Sequence, residues 1–402
     1  MKKVSSIQYL VSSMLSRNIF FFLILFLATV LRFNQLGSNP PSLDWDEASL
    51  GYNAYSLLLT GRDEYGTTWP LSIQSFGDYK PALYTFFTIV PVALFGLTEF
   101  AVRLPSAVFG VMAIFFTYLL MYELTKKSSD GEHAYLPILT TFLLAVSPWH
   151  IQFSRIAFEA NIALTLFIIA AWCFSRAMHK PLWLAHSAVF FALTLYAYHS
   201  VRLVAPVFVV GVTIYALWKK YIRPINLVVP IIVGLICVTP LAITFLSGGQ
   251  ARFQSVTSLT ADSLNKSISL IEYDRGQGDI VGSLFHNRRI VYLLTVAKGY
   301  LDHFDLNFLF LSGDAPGRHH ALDMGMLYLI EAPFIVLGLV LLIKRRVAWA
   351  WLFFWWFLVA PIASSLTTGT PHAVRALIYL PTYQVFCAYG LFSFLIWVRK
   401  NM

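Results

Sequence analysis

Charged residues are scarce in this sequence: Asp, Glu, Lys and Arg make up 12% of its 402 residues, whereas 58% are hydrophobic. A soluble domain carries roughly 25% charged residues, so an ordinary soluble globular protein is excluded. Apolar runs of about 20 residues recur, and each is long enough to cross about 30 Å of hydrocarbon. The pattern predicts an all-α polytopic membrane protein with about ten transmembrane helices, at 18–36, 101–124, 134–149, 160–178, 182–199, 203–218, 226–246, 324–343, 347–366 and 376–398.

Cysteine pairs, glycine-rich phosphate loops and dense metal motifs are also missing. The cysteines all lie within apolar runs, at Cys173, Cys237 and Cys387, so no disulfide or metal–thiolate framework is expected. No glycine-rich phosphate loop or Rossmann-like pattern is visible, which excludes the usual nucleotide-sugar site. No H-E-x-x-H motif occurs. His199, His319 and His372 beside carboxylates leave a divalent metal possible, but no metal site and no cofactor is assigned.

Basic residues are distributed unevenly between the predicted loops. Clusters such as Lys126–Lys127, Lys219–Lys220 and Lys344–Arg346 fall on the side that also holds both termini. Positively charged loops stay in the cytoplasm, so both termini are predicted to be cytoplasmic in a multi-pass protein of the plasma (inner) membrane. This orientation requires residues 81–97, which Pro91 interrupts, to form a juxtamembrane or re-entrant helix. Anionic lipid headgroups of the bilayer then account for the net charge of +9, with no nucleic acid partner.

Unusual polar residues gather on the predicted outer face. The loop after the first span carries Asp44, Asp46 and Glu47, and each later outer loop adds further charged residues or histidines. A charge beside a span is costly unless it is paired, solvated or bound to a ligand, so this convergence predicts a site for an anionic headgroup with carboxylates next to it. The candidate site residues, in chain order, are Asp46, Glu47, Lys80, Arg155, Glu159, His199, Arg202, Arg318, His319, His372 and Arg375.

Structural roles compete with this interpretation. Arg202 and Arg375 are equally consistent with snorkelling to lipid headgroups. Arg155 and Glu159 have the i, i+4 spacing of an ion pair within one helix. The two acids before the run 48–59, whose apolar residues recur at helical spacing, are also expected at a helix N-terminus, where the helix dipole stabilises a carboxylate.

The motifs of the first outer loop resemble those of a known family. The runs Pro40–Ala48 (PPSLDWDEA), Gly77–Pro81 (GDYKP) and Ala101–Pro105 (AVRLP) are similar to signatures of polytopic glycosyltransferases with the GT-C fold, which use lipid-phosphate sugars. These include the protein O-mannosyltransferases and the bacterial aminoarabinose transferases (glycosyltransferase family 39-like). The likeness extends to Arg155 with Glu159, and more loosely to Tyr198-His199-x-x-Arg202 and Pro371-His372-x-x-Arg375. Beyond the first third of the chain it is mainly a likeness of topology.

The resemblance implies an enzyme that takes a sugar from a polyprenyl-phosphate or dolichyl-phosphate carrier and transfers it, with inversion, to an acceptor on the outer face. It implies Asp46 or Glu47 as the general base, Glu159 as an assisting acid and Lys80 as a contact of the donor phosphate. The other candidates are expected to bind substrate. The chemistry agrees, because a phosphate leaving group needs cations and an acceptor hydroxyl needs a base. The sequence departs from its relatives in having Glu159 where the aminoarabinose transferases have an Asp pattern.

The predicted organisation is a single GT-C-like transmembrane domain over 1–402. Its outer loop 37–100 holds the acids, an outer cap loop covers 247–323, and no C-terminal soluble domain is expected, although relatives often have one or have more spans. The predicted reaction moves a hexosyl or pentosyl group to an unidentified glycan, lipid or protein acceptor. Two alternatives stay open. A ligase for lipid-linked oligosaccharides shares this topology, and a lipid or solute transporter places ionisable groups in mid-span, where Glu331 is the only carboxylate deep in an apolar run.

Overall fold

The computed structural model describes residues 2–126, 134–246 and 261–402, so that residues 247–260 of the predicted cap loop lie outside the described residues. The first two described segments contain α1 (Lys2–Phe33), α2 (Trp45–Thr60), α3 (Leu83–Phe95), α4 (Glu99–Thr125), α5 (Leu136–Val146), α6 (Pro148–Arg155), α7 (Glu159–Ala177), α8 (Trp183–Ala197), α9 (Val201–Trp218) and α10 (Val228–Leu246). The third contains α11 (Ala261–Gly276), α12 (Ile280–Phe285), α13 (Arg288–Asp302), α14 (Ala332–Lys344), α15 (Ala350–Val359), α16 (Ile362–Ser365) and α17 (Thr382–Asn401). The predicted all-α polytopic membrane fold is confirmed.

The helices differ in length from the ten predicted spans. Within the described residues, five helical stretches are long and apolar enough to cross a membrane, at Glu99–Thr125, Glu159–Ala177, Val201–Trp218, Pro224–Thr244 and Leu377–Asn401. Helices α5 and α6 make a sixth if they are counted as one span, because they meet at a bend of 56°. The other four predicted spans hold shorter or interrupted apolar helices. Hydropathy therefore located the apolar segments, but in several of them it overestimated the length of the continuous apolar helix.

Helix α7 is the central helix of the bundle, because 89% of its most apolar 18-residue stretch is buried inside the protein. It packs against α4 and α8. The Phe167 ring of α7 also lies 4.8 Å from that of Phe208 in α9 and 4.7 Å from that of Trp356 in α15, measured between centroids. A helix that is apolar on nearly all sides belongs in such a core. This packing fixes the position of Glu159, the first residue of α7, at one end of the helical bundle.

A β-hairpin lies between α2 and α3, and the sequence analysis did not predict it. Strands β1 (Ser72–Ser75) and β2 (Asp78–Pro81) pair antiparallel, with Ile73 opposite Lys80. The turn residues Phe76 and Gly77 both have positive φ, 50° and 76°, which a two-residue hairpin turn favours. Each strand is four residues long and mostly polar, so its signal in the sequence is weak. The hairpin leads directly into α3, the helix within 81–97, which packs against α2 and α4.

Candidate active site

The acidic motif forms the N-terminus of helix α2. Asp44 is the N-cap residue: its Oδ1 accepts a hydrogen bond from the backbone N–H of Glu47 at 2.8 Å. In return, Oε2 of Glu47 accepts one from the backbone N–H of Asp44 at 3.2 Å. This reciprocal capping box satisfies amide groups that the first helical turn leaves unpaired. The helix start expected at these acids is therefore present, and Asp44 and Glu47 both contribute to it.

Glu47 is buried, and both of its carboxylate oxygens are held by the protein. Arg103 donates from Nε to Oε1 at 2.9 Å and from Nη2 to Oε2 at 3.0 Å, and the backbone N–H of Ala157 donates to Oε1 at 2.9 Å. The guanidinium also donates to carbonyl oxygens of the segment before α2, those of Leu36, Pro40 and Ser42. A bidentate pair of this kind fixes geometry as well as charge. It ties α4 and the approach to α7 to the first loop.

Asp46 has a different environment, with 26% of its side chain exposed. Nζ of Lys80 lies 2.6 Å from its Oδ1, and Nη2 of Arg318 lies 3.2 Å from its Oδ2. Partial burial acts to raise the pKa of Asp46, but the charges and hydrogen bonds of Lys80 and then Arg318 outweigh it, so the pKa lies below its ordinary value. Asp46 is therefore an ionised, partly accessible carboxylate between two cations.

Arg318 brings the predicted cap loop onto the acidic motif. It lies in a short 3₁₀ turn, Gly317–His319, and its Nη1 is 2.7 Å from Oδ2 of Asp44. The guanidinium carbon lies 4.8 Å from the ring centroid of Trp45 and 5.8 Å from that of Phe158. A planar guanidinium can stack on an aromatic face while it binds carboxylates in its plane. Arg318 thus connects the start of α2 with the residue that precedes Glu159.

Arg155 and Glu159 do not share a helix. Arg155 ends α6 and Glu159 begins α7, and Ile156 between them has an extended backbone, with φ −113° and ψ 150°. The helical-spacing argument for an ion pair therefore does not apply. Arg155 donates to carbonyl oxygens where α1 ends, those of Leu31, Asn34 and Asn39. Glu159 is buried close to Ala157, the residue that contacts Glu47.

The predicted third outer loop contacts the hairpin that carries Lys80. Nε2 of His199 forms a hydrogen bond with the carbonyl oxygen of Tyr79 at 2.8 Å. Nε of Arg202 donates to the carbonyl oxygen of Leu195 at 3.0 Å. His199 is therefore placed beside Lys80, and Arg202 is placed over the last turn of α8.

His319 and His372 form a second cluster, together with Asp314. Nδ1 of His319 lies 2.6 Å from Oδ2 of Asp314, and the two imidazole rings lie 5.2 Å apart between centroids. The backbone N–H of Ala373 donates to the same Asp314 oxygen at 2.8 Å. Burial lowers the pKa of His372 to about 2, and the nearby charge of Arg375 acts in the same direction. These three side chains have the composition of a metal site, with one ligand atom of each within 4.8 Å of the others.

Two residues that build these clusters were missed in the candidate set drawn from the sequence. Arg103 was noted only as part of a motif, although a single arginine inside an apolar run is a signal in itself, because such a charge must be paired. Asp314 precedes the Arg318–His320 run in the same loop, but only the folded chain shows that its carboxylate reaches His319. His199, by contrast, which was grouped with the other histidines for a possible metal, contacts the hairpin.

Comparison with known proteins agrees with this architecture. Residues 79–245 match the model of the dolichyl-phosphate-mannose-protein mannosyltransferase family. Among solved structures, ArnT from Cupriavidus metallidurans bound to undecaprenyl phosphate has a TM-score of 0.57 at 12% identity. The Archaeoglobus fulgidus oligosaccharyltransferase tethered with an acceptor peptide has a TM-score of 0.56 at 15% identity. The chain has a GT-C fold. The resemblance to GT-C membrane glycosyltransferases that the first-loop motifs carry is confirmed.

The GT-C fold extends over nearly all of this chain but over only part of each relative. The likeness covers 94% of this chain and 60% of the ArnT chain. For the oligosaccharyltransferase the shares are 96% and 51%, and its complex with Zn and sulfate gives a TM-score of 0.54 at 14% identity, with shares of 95% and 49%. No curated protein matches the sequence significantly. At these identities the comparisons establish the fold, and the roles of the individual site residues stay predictions.

Proposed function

We propose that this protein is a membrane glycosyltransferase that moves a sugar, with inversion, from a polyprenyl-phosphate carrier to an acceptor hydroxyl. The observation that carries the proposal is the contact between Asp46 and Lys80, with 2.6 Å between Oδ1 and Nζ. It joins the two groups that the reaction needs, a partly exposed carboxylate and a buried cation. These are a carboxylate that takes the acceptor proton and a cation that stabilises the departing phosphate.

Lys80 and Arg318 are the proposed ligands of the donor phosphate. Asp44 and Asp46 balance the charges of these two cations, so an incoming phosphate has to take over part of the existing contacts. Charge-assisted hydrogen bonds to a phosphate contribute about 1.5–3 kcal/mol each, which makes this exchange feasible. When the phosphate engages Lys80, the Asp46 carboxylate is released toward the acceptor hydroxyl beside it. Donor binding would in this way activate the base.

Asp46 is proposed as the general base in preference to Glu47. The Glu47 carboxylate already accepts hydrogen bonds from Arg103 and from two backbone N–H groups, and it is almost completely buried. Moving it to a substrate would leave the Arg103 guanidinium buried without its counter-charge, which is strongly unfavourable. Glu159, buried at the start of the central helix, is proposed to assist by orienting the acceptor.

An apolar groove supports a lipid-linked donor. A cavity of about 510 Å³ lies between α8, α9 and α10, and residues such as Phe191, Leu195 and Gly234 line it. Arg202 donates to the carbonyl oxygen of Leu195 at one end of this groove, and His199 connects the same loop to the hairpin of Lys80. A polyprenyl chain in the groove would therefore have its phosphate near Lys80. The structurally similar ArnT was solved with undecaprenyl phosphate bound.

A lipid-extract experiment tests the reaction. Cells that lack the protein are expected to accumulate a sugar-phosphate polyprenyl lipid, which mass spectrometry identifies together with its sugar. The wild type and Glu99→Gln should remove this lipid, whereas Asp46→Asn should leave it. Glu99 is a matched control because it is an exposed acid in the first turn of another helix, α4. Turnover in the purified Asp46→Asn variant should fall by roughly 10²–10⁴-fold.

The proposed contact between Lys80 and the donor phosphate is tested in a separate binding experiment. Binding of undecaprenyl phosphate to purified Lys80→Ala should weaken by roughly ten- to a hundredfold, the equivalent of one lost charge-assisted contact. Asp46→Asn should retain donor binding while it loses turnover. Normal transfer by Asp46→Asn at equal protein amount, or a lipid profile that does not respond to the protein, would contradict the proposed function.

A further inference from the structure

Three buried polar atoms belong to neighbouring side chains where the predicted cap loop meets the last predicted outer loop. They are Oδ1 of Asp314, Nε2 of His319 and Nδ1 of His372, and each lacks a hydrogen-bond partner within the described part of the chain. An unsatisfied buried polar atom is costly, and three in one cluster of two histidines and a carboxylate require a common explanation. One ligand atom from each side chain lies within 4.8 Å of the other two.

The hydrogen bonds of Asp314 prepare His319 to be a ligand. Oδ2 of Asp314 accepts a hydrogen bond from Nδ1 of His319 at 2.6 Å and another from the backbone N–H of Ala373 at 2.8 Å. A carboxylate bonded to one ring nitrogen fixes the tautomer in which the other nitrogen, here Nε2, carries a lone pair. Carboxylate–histidine pairs of this kind orient many metal-binding imidazoles. His372 lies beside His319, with 5.2 Å between the ring centroids.

Two neighbouring arginines have partners outside the cluster. The Arg318 guanidinium contacts Asp44 and Asp46, and Nη1 of Arg375 donates to Oγ1 of Thr367 and the carbonyl oxygen of Thr368 at 2.7 and 2.8 Å. His320 is also engaged elsewhere, since its Nε2 bonds the backbone carbonyl oxygen of Asp314 at 2.8 Å. Asp314 therefore supplies the negative charge of the cluster, and the two histidines supply nitrogen.

We propose that Asp314, His319 and His372 bind one divalent transition-metal ion of the Zn²⁺ class. Two imidazoles and one carboxylate are a typical donor set for Zn²⁺, and three protein ligands leave a fourth position for water or a substrate oxygen. Tetrahedral Zn²⁺ places its ligand atoms about 3.3 Å apart, so modest side-chain rotations from the present spacing complete the site. The ion would hold the loop of Arg318 against the loop of His372, and would thereby place Arg318 on Asp46. This site does not depend on the proposed transfer reaction.

Metal binding is measured on the full-length protein purified in detergent, without an activity assay. After loading with ZnCl₂ and desalting, the wild type should retain one zinc per chain by elemental analysis, and His319→Ala and His372→Ala should lose it. His320→Ala is the matched control, because it removes a neighbouring histidine with no free ligand atom. Asp314→Asn removes the one charged ligand of the site and should also lose the zinc.

Cobalt provides a second measurement that needs no variant. CoCl₂ added to the wild-type protein should produce the intense visible absorption of a low-coordinate nitrogen and oxygen site, and ZnCl₂ should abolish it. The proposal is overturned if the wild type retains no more zinc than His319→Ala, or if cobalt shows only the weak absorption of its hydrated ion. Because neither result involves sugar transfer, a failure of the proposed function leaves this test unaffected.

Discussion

At the residue scale, burial separates a structural carboxylate from a candidate catalytic one. Glu47 and Asp46 are adjacent, and on a helix their side chains point about 100° apart. Glu47 therefore faces the interior and meets Arg103, whereas Asp46 is partly exposed and meets Lys80 and Arg318. Removal of each charge should have a different consequence.

Glu47→Gln is expected to destabilise the protein by about 3–5 kcal/mol, because it leaves the Arg103 guanidinium as a buried charge without its partner. Asp46→Asn leaves the buried Lys80 without this partner, but the Asp46 carboxylate is 26% exposed, so a smaller loss of stability is expected than for Glu47→Gln. Thermal unfolding of both purified variants, followed by tryptophan fluorescence, gives the comparison. Equal unfolding temperatures for the two variants would show that the buried pair does not stabilise the fold.

The sequence identified polar residues that the fold brings together, but it predicted their partners less well. Asp46 and Lys80 stand in two motifs of the first loop, and the fold brings them into contact. Arg155 was matched to Glu159 by spacing, yet the chain breaks between them, and Arg155 contacts the end of α1 instead. Asp314 could not be connected to Ala373, because helices α14 to α16 lie between them in the chain. The spacing of two residues in the sequence predicts a contact between their side chains only where both residues lie in the same helix or strand.

At the scale of secondary-structure elements, prolines explain why several apolar runs are not single helices. Pro148 follows the bend between α5 and α6, Pro333 lies in the first turn of α14, and Pro361 separates α15 from α16. Proline fits the first turn of a helix but interrupts an interior, because it has no N–H to donate. Hydropathy does not register this effect, so 324–343 was predicted as one span although α14 begins at Ala332.

Helices α14 and α17 approach each other through glycine. A Cβ atom at Gly338 would collide with the carbonyl oxygen of Phe386, and one at Gly390 would collide with that of Phe334. Small residues permit such close backbone contact in membrane proteins. Gly338→Ala and Gly390→Ala should each destabilise the protein by about 1–3 kcal/mol through overpacking. The loss should appear as a lower unfolding temperature in detergent.

Gly234→Ala in α10 is the control for this prediction. A Cβ there would have an ordinary contact with Ala188 at 3.9 Å, and alanine is the better helix former by about 1 kcal/mol. This variant should unfold at or above the wild-type temperature. If all three substitutions had the same effect, the close crossing of α14 and α17 would not be important for stability.

At the scale of the whole molecule, all of the predicted outer loops meet at one end of the helical bundle. Lys80 of the first loop contacts Arg318 through Asp46, His199 of the third contacts Tyr79 of the first, and Asp314 contacts the last loop at Ala373. The alternation of loops predicted from the sequence is consistent with this gathering. Which end faces the cytoplasm follows only from the distribution of basic residues, and it decides where the donor must be.

Cysteine labelling measures that orientation. Glu159 begins α7 and Lys180 follows its end, so the two positions lie roughly 30 Å apart along a helix of this length. Leu322 is 90% exposed close to Arg318 and marks the end that holds the site. In a background with the three native cysteines replaced by alanine, a membrane-impermeant maleimide should label Leu322→Cys in intact cells. It should label Lys180→Cys only after permeabilisation. Reversed labelling would place Asp46 and Lys80 on the cytoplasmic side, where the proposed donor would have to present its sugar from the inner leaflet.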